Sequence, residues 1–196
     1  MTDLIKLNVD TAPLVKLASG LRVAGKAAPA AMAAGLNATG MKTRTQMRRA
    51  LVGQSGLKYG TMVRAIRSKA ATPGNLRFEI KSAGGNIRLK YFKPRETKAG
   101  VTAVPWNKRV LYGGAFMKGG RFPNRVDIKF GKGNVYERVG RGRFPLRVKR
   151  SDLYIPDEMV TGASRDAFEQ TTSRDLQDQT VRALYAILSG VSAAGR

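Results

Sequence analysis

Residues Leu76-Arg77-Phe78-Glu79-Ile80-Lys81 alternate apolar and charged side chains without a break. That period of two gives an apolar face only in an extended chain, so this stretch reads as a strand. The turn signal Pro73-Gly74-Asn75 precedes it, and the alternation returns in Ile87-Arg88-Leu89-Lys90-Tyr91. Between them, Ala83-Gly84-Gly85-Asn86 offers the positive-φ residues that a hairpin needs. The reading is a hairpin with one face in the core and a mostly basic ladder on the other.

Upstream the period is helical. Leu14, Leu17, Leu21, Ala24, Ala28, Ala31 and Gly35 recur at spacings of three and four over residues 11–52, behind Asp10, Thr11 and Pro13. Pro29 lacks an amide proton, so a break is expected near Gly25, with a second helix from about Ala27 to Val52. Its small residues call for something packed closely against it, in this chain or in another copy. Gly53-Gln54-Ser55-Gly56 punctuates, and Leu57–Ala70 reads as a short helix. Met62, Val63 and Ile66 make its apolar side, with Arg64, Arg67 and Lys69 opposite.

Downstream, 93–100 reads as a mobile loop, Val101–Trp106 and Val110–Tyr112 as strands, and Met117–Arg125 as an exposed loop. Val126–Phe130 and Val135–Val139 suggest a second hairpin, and Phe144–Val148 an edge strand, since Pro145 cannot donate to a ladder. Ile155-Pro156-Asp157-Glu158 opens a last helix to about Ser189, stopped by Gly190. Its expected apolar side is Val160, Ala163, Ala167, Val181, Leu184, Ile187, Leu188 and Val191. The fold class is α+β: N-terminal helices, a mainly antiparallel sheet of about four to six strands, and a long C-terminal helix. A single domain is expected, with a helical region at 11–70, a β-rich region with long loops at 75–150 and the terminal helix at 156–190.

The 196 residues carry 36 Lys and Arg against 13 Asp and Glu, a net charge of +23. The charge is uneven: no acid lies between Asp10 and Glu79, where 12 basic residues occur. From Asp152 onward seven acids face four Arg, so the first 151 residues carry +26 and the tail −3. Such a body is drawn to polyanions or acidic protein surfaces. With no Cys and no His, disulfides, thiolate nucleophiles, His-based acid–base catalysis and Cys/His zinc sites are excluded. The carboxylates are scattered except for Asp157/Glu158, which a helix start explains, and the Gly-rich pieces lack the phosphate-loop pattern. A non-enzymatic protein without cofactor or metal is expected. No run reaches the roughly 18 apolar residues of a membrane helix, and residues 1–10 lack a signal-peptide pattern, so no membrane and no export are expected.

Two groups of residues are candidates for macromolecular contact. Lys42, Arg44, Arg48, Arg49, Arg64 and Arg67 lie in the helical region. Phe116, Arg121, Arg125, Arg138, Arg141 and Arg143 lie in the β-rich region, where basic and aromatic residues interleave. Both groups suit nucleic-acid phosphate or an acidic partner protein, and no nucleic-acid-binding motif accompanies them.

Five segments, in this order, resemble the minor tail protein Z family of lambda-type tailed bacteriophages and prophages. They are Lys26–Ala33, the basic Thr45–Ala70, Gly114-Ala115-Phe116-Met117, Val135-Tyr136-Glu137-Arg138-Val139 leading into Arg143-Phe144-Pro145-Leu146, and Ile155–Val160. The resemblance implies a virion structural protein at the head-proximal end of a tail, assembled in the host cytoplasm. It further implies a ring of copies, six-fold to match a tail tube, beside tail terminator, tube or neck proteins, with phage DNA passing through. It carries over no catalytic or cofactor residue. The chain departs from the family in a longer insertion around Lys118–Arg125. Two other classes stay open at this point: a stand-alone basic nucleic-acid-binding protein and a transient tail-assembly chaperone.

Overall fold

The computed structural model describes residues 25–128 and 131–189. The expected helix before Gly25, the end of the Val126–Phe130 strand, the Gly190 stop and Val191 lie outside them. The first described element is a 3₁₀ turn at Gly25–Ala27, leading into helix α1 (Ala28–Ser55), with Pro29 in its first turn. There the proline costs no backbone hydrogen bond. The helix runs through Gly53 and stops at Gly56, whose left-handed φ of 77° lets its amide bond back to Val52 O at 3.1 Å.

The Leu57–Ala70 segment is not one helix. Helix α2 (Tyr59–Ala65) passes directly into strand β1 (Ile66–Lys69), which pairs antiparallel with β2 (Glu79–Ser82). The expected hairpin partner of 76–81 is therefore wrong. Residues 89–91 form a 3₁₀ turn, and Ile87 bonds instead to Ser151 and Leu153. Alternation identified the extended segment, but the strand that completes it came from a stretch whose local pattern reads as helix.

Beyond this, β3 (Arg95–Thr97), β4 (Gly100–Ala103) and β5 (Val110–Gly113) form an antiparallel three-stranded sheet. The stretch expected to be a mobile loop thus supplies an edge strand, and Val101–Trp106 ends as strand at Ala103, with a 3₁₀ turn at Pro105–Asn107. Within 117–125 the chain pairs again, β6 (Gly119–Gly120) with β7 (Arg125–Val126). The second expected hairpin also re-pairs: β8 (Tyr136–Arg138) joins β9 (Leu146–Val148), not Val126–Phe130. All described pairings are antiparallel, but the strands distribute over four small sheets instead of one.

The terminal helix is divided. Helix α3 (Ile155–Met159) precedes α4 (Gly162–Leu188). The Glu158 carboxylate accepts from Trp106 Nε1 at 2.6 Å and from Gln54 Nε2 at 2.5 Å, which ties α3 to the end of α1 and to the turn after β4. Helices α1 and α4 run antiparallel, with Gly35 against Thr180 at one end and Gln54 beside Ser164 at the other. The buried face of α4 is Ser164, Thr171, Leu176, Thr180 and Leu184; of the expected stripe, Leu184 is buried and Ile187 packs against the same cluster, while Val160 and Ala163 are exposed. Its hydroxyls hide this face from a hydropathy reading, and Thr180 satisfies its own by donating to Leu176 O at 2.8 Å.

The main core joins Met47 and Leu51 of α1, Met62, Ile66, Ile80, Leu89, Phe92 and Val101, with Leu153, Ile155 and Met159. Each such side chain contributes roughly 1.5–3 kcal/mol of burial. The helical region, the strands and the segment before α4 therefore share one core. The fold is α+β.

Candidate docking cleft

The sequence-predicted contact residues separate into two places. On the helical side, Lys42 pairs with Asp175 of α4 at 3.5 Å, and Arg44 donates to Ser68 Oγ at 2.6 Å. Arg48 is corrected outright. It is buried at 9% exposure, and its guanidinium donates to Val63 O and Ile66 O, the carbonyls left over where α2 becomes β1. Burial, reinforced by the Arg44 charge, lowers its pKa, yet a guanidinium remains charged. Arg48 is an internal cap, not a contact. Arg49, Arg64 and Arg67 are exposed, Arg67 standing opposite Lys81 on the β1–β2 ribbon.

The second group converges. Phe116, Arg121, Arg125 and Arg138 line one open cleft of about 420 Å³, together with Lys98, Lys118 and Phe122. Four elements build it. The β3–β4 turn brings Lys98, the segment after β5 brings Phe116, the β6–β7 ribbon brings Arg121 and Arg125, and β8 brings Arg138. Backbone bonds hold the parts in register: Phe116 N to Tyr136 O at 2.9 Å, and Tyr136 N to Phe116 O at 2.8 Å. Arg138 then lies over the Phe116 ring, 5.6 Å from its centroid, and Tyr136 meets that ring at 6.4 Å. Arg141 and Arg143 stay outside the cleft, Arg143 over the exposed Phe144.

The cleft has five cationic side chains and no lining carboxylate. Two of the five are matched from just outside: Arg125 by Glu96 and Lys118 by Asp127, the latter at 3.0 Å. Glu96 also accepts from the Met117 amide at 3.2 Å, tying the ribbon to the sheet. Lys98, Arg121 and Arg138 have no ion pair among the described residues. Next to Arg138 on β8, Lys149 and Arg147 hold the Glu137 carboxyl below the usual carboxylate range, against an opposing effect of burial. Sequence reading missed Lys98, Lys118 and Phe122 because they sit in segments read as loops; a Phe amid Gly and Arg was the available signal.

Among the described residues no group of acids could hold a metal ion, and no helix is long and apolar enough to cross a membrane. No protein-family model, curated protein or solved structure matches this chain.

Proposed function

We propose that this chain is a non-catalytic structural protein of a tailed-phage virion. Copies of it form a ring, six-fold to match the tail tube, at the head-proximal end of the tail, completing the tail and helping to join it to the head or neck. The observation that carries the docking part is the convergence of separate elements on one open basic cleft lined by Phe116, Arg121 and Arg138. A surface assembled from four elements is positioned by the whole fold, as a repeated interface requires. The ordered motif resemblance selects which assembly it serves.

Physics limits how the charge is used there. A six-fold ring presenting even two cations per copy to duplex DNA would neutralise about 12 phosphates, a log–log salt slope of about −11. So strong a grip opposes passage of DNA. Most of the basic surface therefore meets acidic faces of terminator, tube or neck proteins, where charge sets orientation and register. Immunogold imaging of purified virions tests the proposal: label is expected at the head–tail junction in a fixed copy number per particle. Its absence from mature particles while present during tail assembly would identify an assembly chaperone instead.

A second reading has an observation of its own, the exposed Phe122 beside unmatched Arg121. A stand-alone nucleic-acid-binding protein would bind RNA or duplex DNA as a monomer with a steep salt slope. Failure to bind either at about 50 mM salt removes that reading.

A further inference from the structure

We infer that the cleft lined by Phe116, Arg121 and Arg138 takes an acidic, extended segment of a partner protein, whose carboxylates seat among Lys98, Arg121 and Arg138; this deepens, and rests on, the assembly role proposed above. Three observations favour a peptide over nucleic acid. First, internal pairing of Arg125 with Glu96 and of Lys118 with Asp127 leaves three unmatched cations in a compact space. That suits a few side chains, whereas single-stranded nucleic acid needs a basic track of about 4–16 nucleotides. Guanidiniums such as Arg121 and Arg138 match carboxylates with paired hydrogen bonds.

Second, the Phe116 ring is not a free stacking platform, because Arg138 covers it and Tyr136 packs beside it. Third, main-chain partners lie next to the cleft. Strands β3 and β5 are the two edges of the three-stranded sheet. Thr97 at the end of β3 and Gly114 just after β5 both line the cleft. An edge strand presents a row of unpaired N–H and C=O groups whose spacing matches an extended peptide, which pairs with both along its length. On β5, Val110 is 40% and Leu111 52% exposed, which offers apolar contacts to the same segment.

The test measures binding of fluorescent oligoglutamate, and of an oligothymidylate of equal charge, to the purified full chain. Arg121→Glu/Arg138→Glu is compared with Arg64→Glu/Arg67→Glu, which removes the same charge from the exposed helical side. The cleft pair is expected to weaken oligoglutamate about tenfold or more, and the control pair less than about threefold. Equal weakening by both pairs overturns the inference. So does a cleft pair that weakens oligothymidylate more than oligoglutamate, since the cleft would then be a nucleic-acid site. If the double variant fails to fold, Lys98→Gln reads the same surface: about threefold weaker oligoglutamate supports the inference, and no change removes it. An unaltered chain that binds oligoglutamate through the cleft but is missing from virions keeps this inference and discards the phage role. A chain found in virions whose cleft variants bind normally does the reverse.

Discussion

Gly35 lies against Thr180, and a Cβ built on it would stand 2.6 Å from the Thr180 Cα. That contact is backbone, so neither helix can yield by rotating a side chain. Gly35→Ala gains about 1 kcal/mol of helix propensity and loses about 1–3 kcal/mol to overpacking. Net destabilisation is expected, read as a lower urea midpoint; a higher midpoint would mean that α1 and α4 can move apart freely. Arg48 and Arg49 make a paired test of burial. Arg48→Met strands the carbonyls of Val63 and Ile66 and should cost about 2 kcal/mol. Arg49→Met, one residue on and exposed, should stay within about 0.5 kcal/mol. Neighbours in sequence thus separate into a structural role and a surface role, and only burial tells which is which.

Small elements here hold together through polar ties as much as through apolar faces. Asn37 of α1 donates to Ala71 O at 3.0 Å and accepts from the Ala71 amide at 2.7 Å, imitating a strand pair. Asn37→Ala should cost about 1–3 kcal/mol and release the Ala71 amide to fast hydrogen exchange, a result that amide-resolved exchange reads directly. The β8–β9 ribbon depends on Glu137, which accepts from Lys149 and Arg147 at 2.6 and 2.7 Å. Its folded pKa is depressed. A depressed carboxylate contributes stability above its unfolded pKa of about 4.3, lost as pH falls through the folded value. Denaturant midpoints should therefore fall below about pH 4 in the unaltered chain. Glu137→Gln should lower the midpoint at neutral pH and flatten that acid limb; an unchanged limb would show that the ion pairs contribute nothing.

For the whole molecule, the charge of +23 is the dominant long-range property. Raising salt from about 0.1 to 1 M shortens the screening length from roughly 10 to 3 Å. Co-sedimentation with purified tail tubes should weaken steeply over that range if acidic neighbours are the partners. Retention unaffected by salt would point to apolar contacts instead. Exposed Phe122, Val126, Val139 and Phe144, all in the lobe between β6 and β9, are among the side chains available for those. The lobe therefore offers both kinds of surface, charged and aromatic in the cleft with Phe122, and apolar at Val126, Val139 and Phe144 outside it.

The amino-acid sequence by itself determined the α+β class, the helix opened by Pro29, the strand character of 79–81 within the alternating 76–81, and the uneven charge. Each of these is written in spacing or composition within a few residues. It also excluded the chemistry of Cys and His, because neither residue is present. Strand partners were decided only in three dimensions. Ile66–Lys69 pairs with Glu79–Ser82, and Ile87 with Ser151 and Leu153, because sheet pairing satisfies backbone groups across any sequence distance. The same holds for the docking cleft. Phe116, Arg121, Arg125 and Arg138 could be named one at a time as basic or aromatic. That they share one cleft with Lys98, while Arg48 turns inward, followed from packing, because burial and proximity belong to the folded chain and not to local sequence.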